Sequence, residues 1–144
     1  MLVIDTNILI YASDPDSDVH EVCRDLVDEY RQGASPWFIS WPICYEFLRV
    51  VTHPAIPRKP WTATAAWQFL ETILNSPSGD ILLPTSRHAT ILAEILAQTQ
   101  HLRGNIFYDL HTVVLMREHG IREICTRDTD FHRFPGVTVI DPAR

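Results

Sequence analysis

The chain has 144 residues, 46% of them hydrophobic and 21% charged, a balance that excludes a disordered chain. The net charge of −6 excludes a protein that grips nucleic acid mainly by bulk positive charge. The longest apolar run, Ile8 to Ala12, falls far short of the roughly 20 residues of a bilayer span, and Met1-Leu2-Val3-Ile4 lacks the basic start of a secretory signal. The expectation is one soluble, cytoplasmic domain over residues 1–144 with no membrane partner. Cys23, Cys44 and Cys125 are odd in number and far apart, which indicates reduced core residues and no thiolate metal site.

In chain order, Leu2 to Ile4 reads as a short strand. A helical stripe follows from about Val19 to Arg31, and Gly33 stops it. Trp37 to Ser40 is the second strand, and Pro42 then opens a helix carrying Ile43, Phe47, Val50 and Val51. Residues Pro54 to Pro60 form a proline-rich loop holding Arg58 and Lys59. A helix from about Thr62 to Leu74 leads to a third strand, Ile81 to Leu83. Two further helices run from about Arg87 to Gln100 and from about Ile106 to His119. The fourth and fifth strands are Glu123 to Thr126 and Val137 to Ile140. Short apolar strands alternating with amphipathic helices predict an α/β sandwich on a mainly parallel sheet.

Such sheets take ligands at the carboxyl ends of their strands. Asp5 follows the first strand directly, and Asp128 lies two residues past the fourth. Glu46 sits early in the helix that leaves the second strand. Asp109 sits early in a helix whose far end feeds the fourth strand through a three-residue link, so it faces the same edge. Parallel strands with right-handed crossovers therefore bring four distant acids together. Neighbours at helical spacing include Ile43 and Val50 for Glu46, and Ile106 and Val113 for Asp109, so both acids are expected on or beside the buried stripe.

Two carboxylates about 5 Å apart repel by roughly 3 kcal/mol at an effective dielectric of about 20. Four can ionise together only around a divalent cation, and oxygen-only ligands select Mg²⁺ or Mn²⁺. Metal-assisted attack of water on a phosphodiester is the chemistry this suits. Other phosphoryl sites fit poorly. The third strand ends in Leu83-Pro84 where a receiver domain needs an Asp, Asp5-Thr6-Asn7 is not D-x-D, and neither a P-loop nor G-x-S-x-G is present.

The set Val3-Ile4-Asp5-Thr6-Asn7, Tyr45-Glu46-Phe47-Leu48-Arg49-Val50, Asp109 at a helix start with Glu118-His119-Gly120 after it, and Thr126-Arg127-Asp128-Thr129-Asp130-Phe131 resembles the PIN-domain ribonucleases. Within that family it resembles in particular the VapC-type toxins of prokaryotic toxin–antitoxin pairs. The resemblance implies a three-layer α/β/α sandwich with five strands in the order 3-2-1-4-5. It implies an Mg²⁺- or Mn²⁺-dependent endoribonuclease that dimerises and is blocked by an antitoxin. By position, Asp5, Glu46, Asp109 and Asp128 would be the catalytic and metal-binding acids, with Asp130 a fifth. Thr6, Asn7 and Thr126 would orient them. Candidate RNA contacts are Arg58, Lys59, Arg103, Arg127 and Arg133. Leu110 and His111 stand where small or aliphatic residues are common in the family. A non-catalytic PIN-like module binding RNA or protein is the alternative reading.

Overall fold

In a computed structural model, residues 1–56 and 59–144 are described. The elements run β1 (Leu2–Ile4), α1 (Thr6–Ser13), α2 (His20–Gln32), β2 (Trp37–Ser40), α3 (Trp41–Val51) and α4 (Ala63–Leu74). They continue with β3 (Gly79–Leu82), α5 (His88–Gln98), α6 (Ile106–Glu118), β4 (Glu123–Cys125), a 3₁₀ turn (Thr129–Arg133) and β5 (Thr138–Ile140). The sheet order is β3-β2-β1-β4-β5, and every pairing is parallel. No described helix is long and apolar enough to cross a membrane.

The sandwich follows from connection handedness. Strand order advances from β1 to β2 to β3, then reverses to β4 and β5, so right-handed crossovers place α1–α4 on one face and α5–α6 on the other. The principal helix contacts divide the same way: α1 with α2 and α3, α3 with α4, and α5 with α6. Ile4, Ile8, Phe47, Leu70, Ile95 and Val114 are among the residues with no exposure at all. All three cysteines are buried and free.

Two differences from the sequence reading have plain causes. Helix α1 carries no amphipathic stripe, because the side opposite its buried Thr6, Ile8, Leu9, Ala12 and Ser13 carries Ile10 and Tyr11, which are half-buried against the core as well. It starts where it does because Asp5 caps it, accepting from the Thr6 N–H at 2.7 Å. Strand β3 begins at Gly79 rather than Ile81. Gly79 pairs with Trp37, and a Cβ there would meet the Trp37 ring at 2.5 Å. This glycine belongs to the sheet because only its bare backbone fits against the indole.

Helix α6 is the buried pillar of the second face. Leu110, Val113, Val114, Leu115 and Met116 are each at most 1% exposed. Its far end is pinned by Glu118, which accepts from the Thr85 N–H and hydroxyl, both at 2.7 Å, while His88 Nδ1 lies 2.8 Å away. Asp109 lies in the first turn of α6, between the buried Ile106 and Leu110.

Candidate active site

At the carboxyl edge, β1 and β4 end side by side, and the Asp5 N–H donates to the Cys125 carbonyl at 3.0 Å. The residues just past them form a closed hydrogen-bond set. Asp5 Oδ2 accepts from Asn7 Nδ2 and from the Thr126 hydroxyl, each at 2.7 Å. Thr126 Oγ1 in turn accepts from Asn7 Nδ2 at 2.8 Å and from the Asp128 N–H at 2.9 Å. Asn7 Oδ1 accepts from the Arg127 N–H at 3.2 Å. The Thr126 hydroxyl thus spends its one proton and both lone pairs, and the Asn7 amide is fixed in orientation by donors and acceptors on both sides. Thr126 is fully buried.

The remaining acids come from three directions. Asp128 opens the 3₁₀ turn, its Oδ1 accepting from the Asp130 N–H at 2.8 Å. Glu46, on α3, accepts from the Thr6 hydroxyl at 2.9 Å. Asp109 comes from α6. Asp5, Glu46, Asp109, Asp128 and Asp130 all line one open cleft of about 820 Å³ between α3 and α6. The sequence-expected acids therefore meet. Oxygens of Asp109, Asp128 and Asp130 come within 4.8 Å of one another, whereas Asp5 turns its oxygens to Thr6, Asn7 and Thr126.

Burial and crowding show in the acidities. Burial pushes the Asp5 carboxyl up to about 6, with the Glu46 and Asp128 charges adding to it and the Thr126 and Thr6 hydrogen bonds pulling against it. Asp109 rises to about 7, first by burial and then by the charges of Asp128, Asp5, Asp130 and Glu46. Among the described residues, the ion pair made by these acids is that of Glu46 with Arg49 at 3.9 Å. Three convergent carboxylates without a cationic partner among the described residues suit a hard divalent cation. Asp109, Asp128 and Asp130 could hold it directly, with Asp5 and Glu46 beside them.

Some expectations land elsewhere. Glu46 is exposed, its side chain at 51%; the buried line of α3 is Ile43, Cys44, Phe47 and Val51, and Glu46 stands outside it. Lys59, Arg103, Arg127 and Arg133 are exposed, and none lines the cleft. Arg127 reaches Asp141 at 3.4 Å and lies over the Tyr11 ring, and Arg133 donates to the His101 carbonyl. Arg58 lies outside the described residues. The cleft is lined instead by Arg49, Tyr45, Tyr108, Asn105 and Thr112. Of these, the tyrosines had a sequence signal: each directly precedes an acid.

Thr126→Val keeps the shape of the side chain and removes its polar oxygen. Asp5 then loses one donor, and the Asp128 N–H and Asn7 amide lose an acceptor. Urea unfolding should show a loss of about 1–3 kcal/mol. Carbon-detected titration should show the Asp5 carboxyl ionising at higher pH than in the wild type, because the Thr126 bond holds it down. An unchanged Asp5 titration would mean that this bond does not form.

The comparisons with known proteins agree on one family. The PIN domain family model matches residues 2–137. Ribonuclease VapC48 of Mycobacterium tuberculosis (strain CDC 1551 / Oshkosh) is 30% identical over 138 residues, covering 96% of this chain and 94% of that protein. The crystal structure of VapBC2 from Rickettsia felis bound to a DNA fragment from their promoter superposes with a TM-score of 0.66 at 18% identity, covering 96% of each chain. That of Mycobacterium tuberculosis VapC20, a Sarcin-Ricin loop cleaving toxin, gives 0.64 at 17% identity, covering 92% and 93%. The two structural likenesses speak for the fold, and the sequence match over nearly the whole chain speaks for descent: the chain belongs to the PIN-domain family.

Proposed function

We propose that this protein is a divalent-metal-dependent endoribonuclease and the toxin of a cytoplasmic toxin–antitoxin pair. The observation that carries the reading is the convergence of Asp109, Asp128 and Asp130 oxygens within 4.8 Å, beside Asp5 in an open cleft. Its whole-length similarity to proteins named VapC ribonucleases supports RNA as the substrate. The same likeness supports an antitoxin as partner and growth inhibition when that partner is missing. A homodimer belongs to the same proposal.

A bound Mg²⁺ or Mn²⁺ would supply charge neutralisation on the phosphate and a more acidic water. The protein's own part is positioning. Asp109, Asp128 and Asp130 present the oxygens that would hold the ion. The hydrogen bonds around Asp5 fix its carboxylate before substrate arrives, so no reorganisation is needed during reaction. Thr6 holds Glu46 at the rim, where it can accept a proton or orient a water. Asp109, raised to about 7, would have to be ionised to join Asp128 and Asp130 in holding the ion.

Mixed cellular RNA incubated with Mn²⁺ should be cut at internal sites. Cleavage should stop on chelation and be absent from an Asp5→Asn preparation purified in parallel. Equal RNA loss in both preparations, or loss that survives chelation, would overturn the reading. Metal binding and RNA retention without cleavage would leave the non-catalytic module in its place.

A further inference from the structure

Two exposed tyrosines face the acidic cleft from opposite walls. Tyr45 lies on α3 directly before Glu46 and is 70% exposed; Tyr108 lies on α6 directly before Asp109 and is 72% exposed. Both line the cleft. Among the described residues neither hydroxyl has a hydrogen-bond partner and neither ring packs on another aromatic ring. No folding role accounts for them, since they bury little and hold nothing. Their neighbours at the cleft include Arg49, 64% exposed in its side chain and the cation among the cleft-lining residues.

We propose that Tyr45 and Tyr108 are base-stacking platforms that grip unpaired nucleotides on either side of the acid cluster, with Arg49 taking an adjacent phosphate. The inference rests on the ribonuclease reading and names its substrate class: single-stranded or looped RNA. The net charge is −6 and the cleft is lined by five carboxylates, so bulk attraction cannot hold a polyanion there. Contact with the uncharged faces of the bases avoids that repulsion, and every base offers such a face. In a duplex those faces are already stacked on one another, so the tyrosines would have nothing to grip. The one-residue offset between each tyrosine and an acid is the geometric link. Any strand held by both rings passes over Asp109 and Glu46. A basic protein segment is the competing occupant. It would gain most from the acids, and it would leave the two neutral rings without a specific task.

The test is direct binding with Ca²⁺ in place of Mg²⁺, read by fluorescence anisotropy on a labelled, randomised single-stranded RNA oligonucleotide. Tyr45→Ala and Tyr108→Ala should each weaken binding about tenfold. Tyr45→Phe and Tyr108→Phe should bind within about twofold of wild type, because stacking needs the ring and not the hydroxyl. The slope of log affinity against log salt should be unchanged in the tyrosine variants and shallower by about 0.7 in Arg49→Gln. Binding to a duplex of the same composition should not respond to the tyrosine changes. Melting temperatures check that the variants fold.

Alanine variants that bind like wild type would overturn the proposal. So would phenylalanine variants as weak as the alanines, or a wild type that binds no single-stranded RNA. Loss of a protein partner with RNA binding intact would transfer the cleft walls to that partner, also overturning it. RNA bound through the tyrosines but never cut with Mg²⁺ or Mn²⁺ would sink the ribonuclease reading and leave this one standing. Cleavage whose KM ignores both alanine changes would do the reverse.

Discussion

Asp109→Asn should abolish RNA cleavage while making the metal-free protein harder to melt. The two effects have one cause. Asp109 sits where burial and the charges of Asp128, Asp5, Asp130 and Glu46 push its pKa to about 7. An amide keeps the shape and removes a charge that the fold disfavours. At slightly alkaline pH the relief is on the order of 2–3 kcal/mol, which for a chain of this size raises the melting temperature by about 5–10 °C. Cleavage should fall by about 10³-fold or more, because the cation that would neutralise the phosphate loses one of the carboxylates holding it. The rise in melting temperature on adding Mg²⁺ should shrink accordingly.

Asp5→Asn gives the instructive contrast. It should be as inactive as Asp109→Asn, yet gain far less stability. Asp5 Oδ2 accepts from both Asn7 Nδ2 and the Thr126 hydroxyl, and Oδ1 accepts from the Thr6 N–H. An amide nitrogen in place of Oδ2 meets Asn7 donor to donor. Removing the charge then helps while the broken hydrogen bonds cost about 1–3 kcal/mol. Cleavage assays and thermal melts on both variants decide this. An Asp109→Asn protein that melts lower than wild type without metal would refute the idea that this carboxylate is held at a cost for function.

The sequence was most legible where local chemistry and topology agree. Asp5 and Asp128 were placed by strand ends alone, and Asp109 by a short link from its helix to β4; all three line the cleft. Asp130 was named only by the family resemblance, as a fifth acid, and not by topology. Its convergence with Asp109 and Asp128 depends on the 3₁₀ turn that Asp128 caps, and a five-residue turn leaves no periodic signal. Helix α1 was hidden for the opposite reason: burial on several sides erases the amphipathic pattern. The basic residues misled because charge alone does not say which way a loop side chain leaves the backbone. Arg127 turns to Asp141 and Tyr11, whereas Arg49, which was not among the candidate RNA contacts, lines the cleft. Tyr45 and Tyr108 would read as core candidates by residue type, and exposure rather than identity is what sets them apart.

The loss of stability with rising pH should be largely offset when Mg²⁺ is added. Without metal, the two perturbed acids bind protons more tightly in the folded chain than in the unfolded one. Their contribution is therefore fully present below the usual carboxylate pKa near 4 and is lost as pH rises through about 6 for Asp5 and about 7 for Asp109. Other carboxylates act in the opposite sense at the acid end. Glu118, held below its ordinary value by bonds from Thr85 and His88 that outweigh its burial, adds stability that disappears as pH falls. The clean readout is therefore the difference between wild type and Asp109→Asn. It should be near zero around pH 4 and reach on the order of 2–3 kcal/mol in favour of the variant by about pH 8. Only the ionised carboxylates bind the cation, so Mg²⁺ at about 100 times its dissociation constant should return about 2.7 kcal/mol to the wild type at the alkaline end and almost nothing near pH 4. Urea unfolding at a series of pH values, with and without Mg²⁺, measures both curves. A difference that does not change with pH would mean that Asp109 ionises as an ordinary surface carboxylate, and a metal effect as large at pH 4 as at pH 8 would place the ion somewhere other than this cluster.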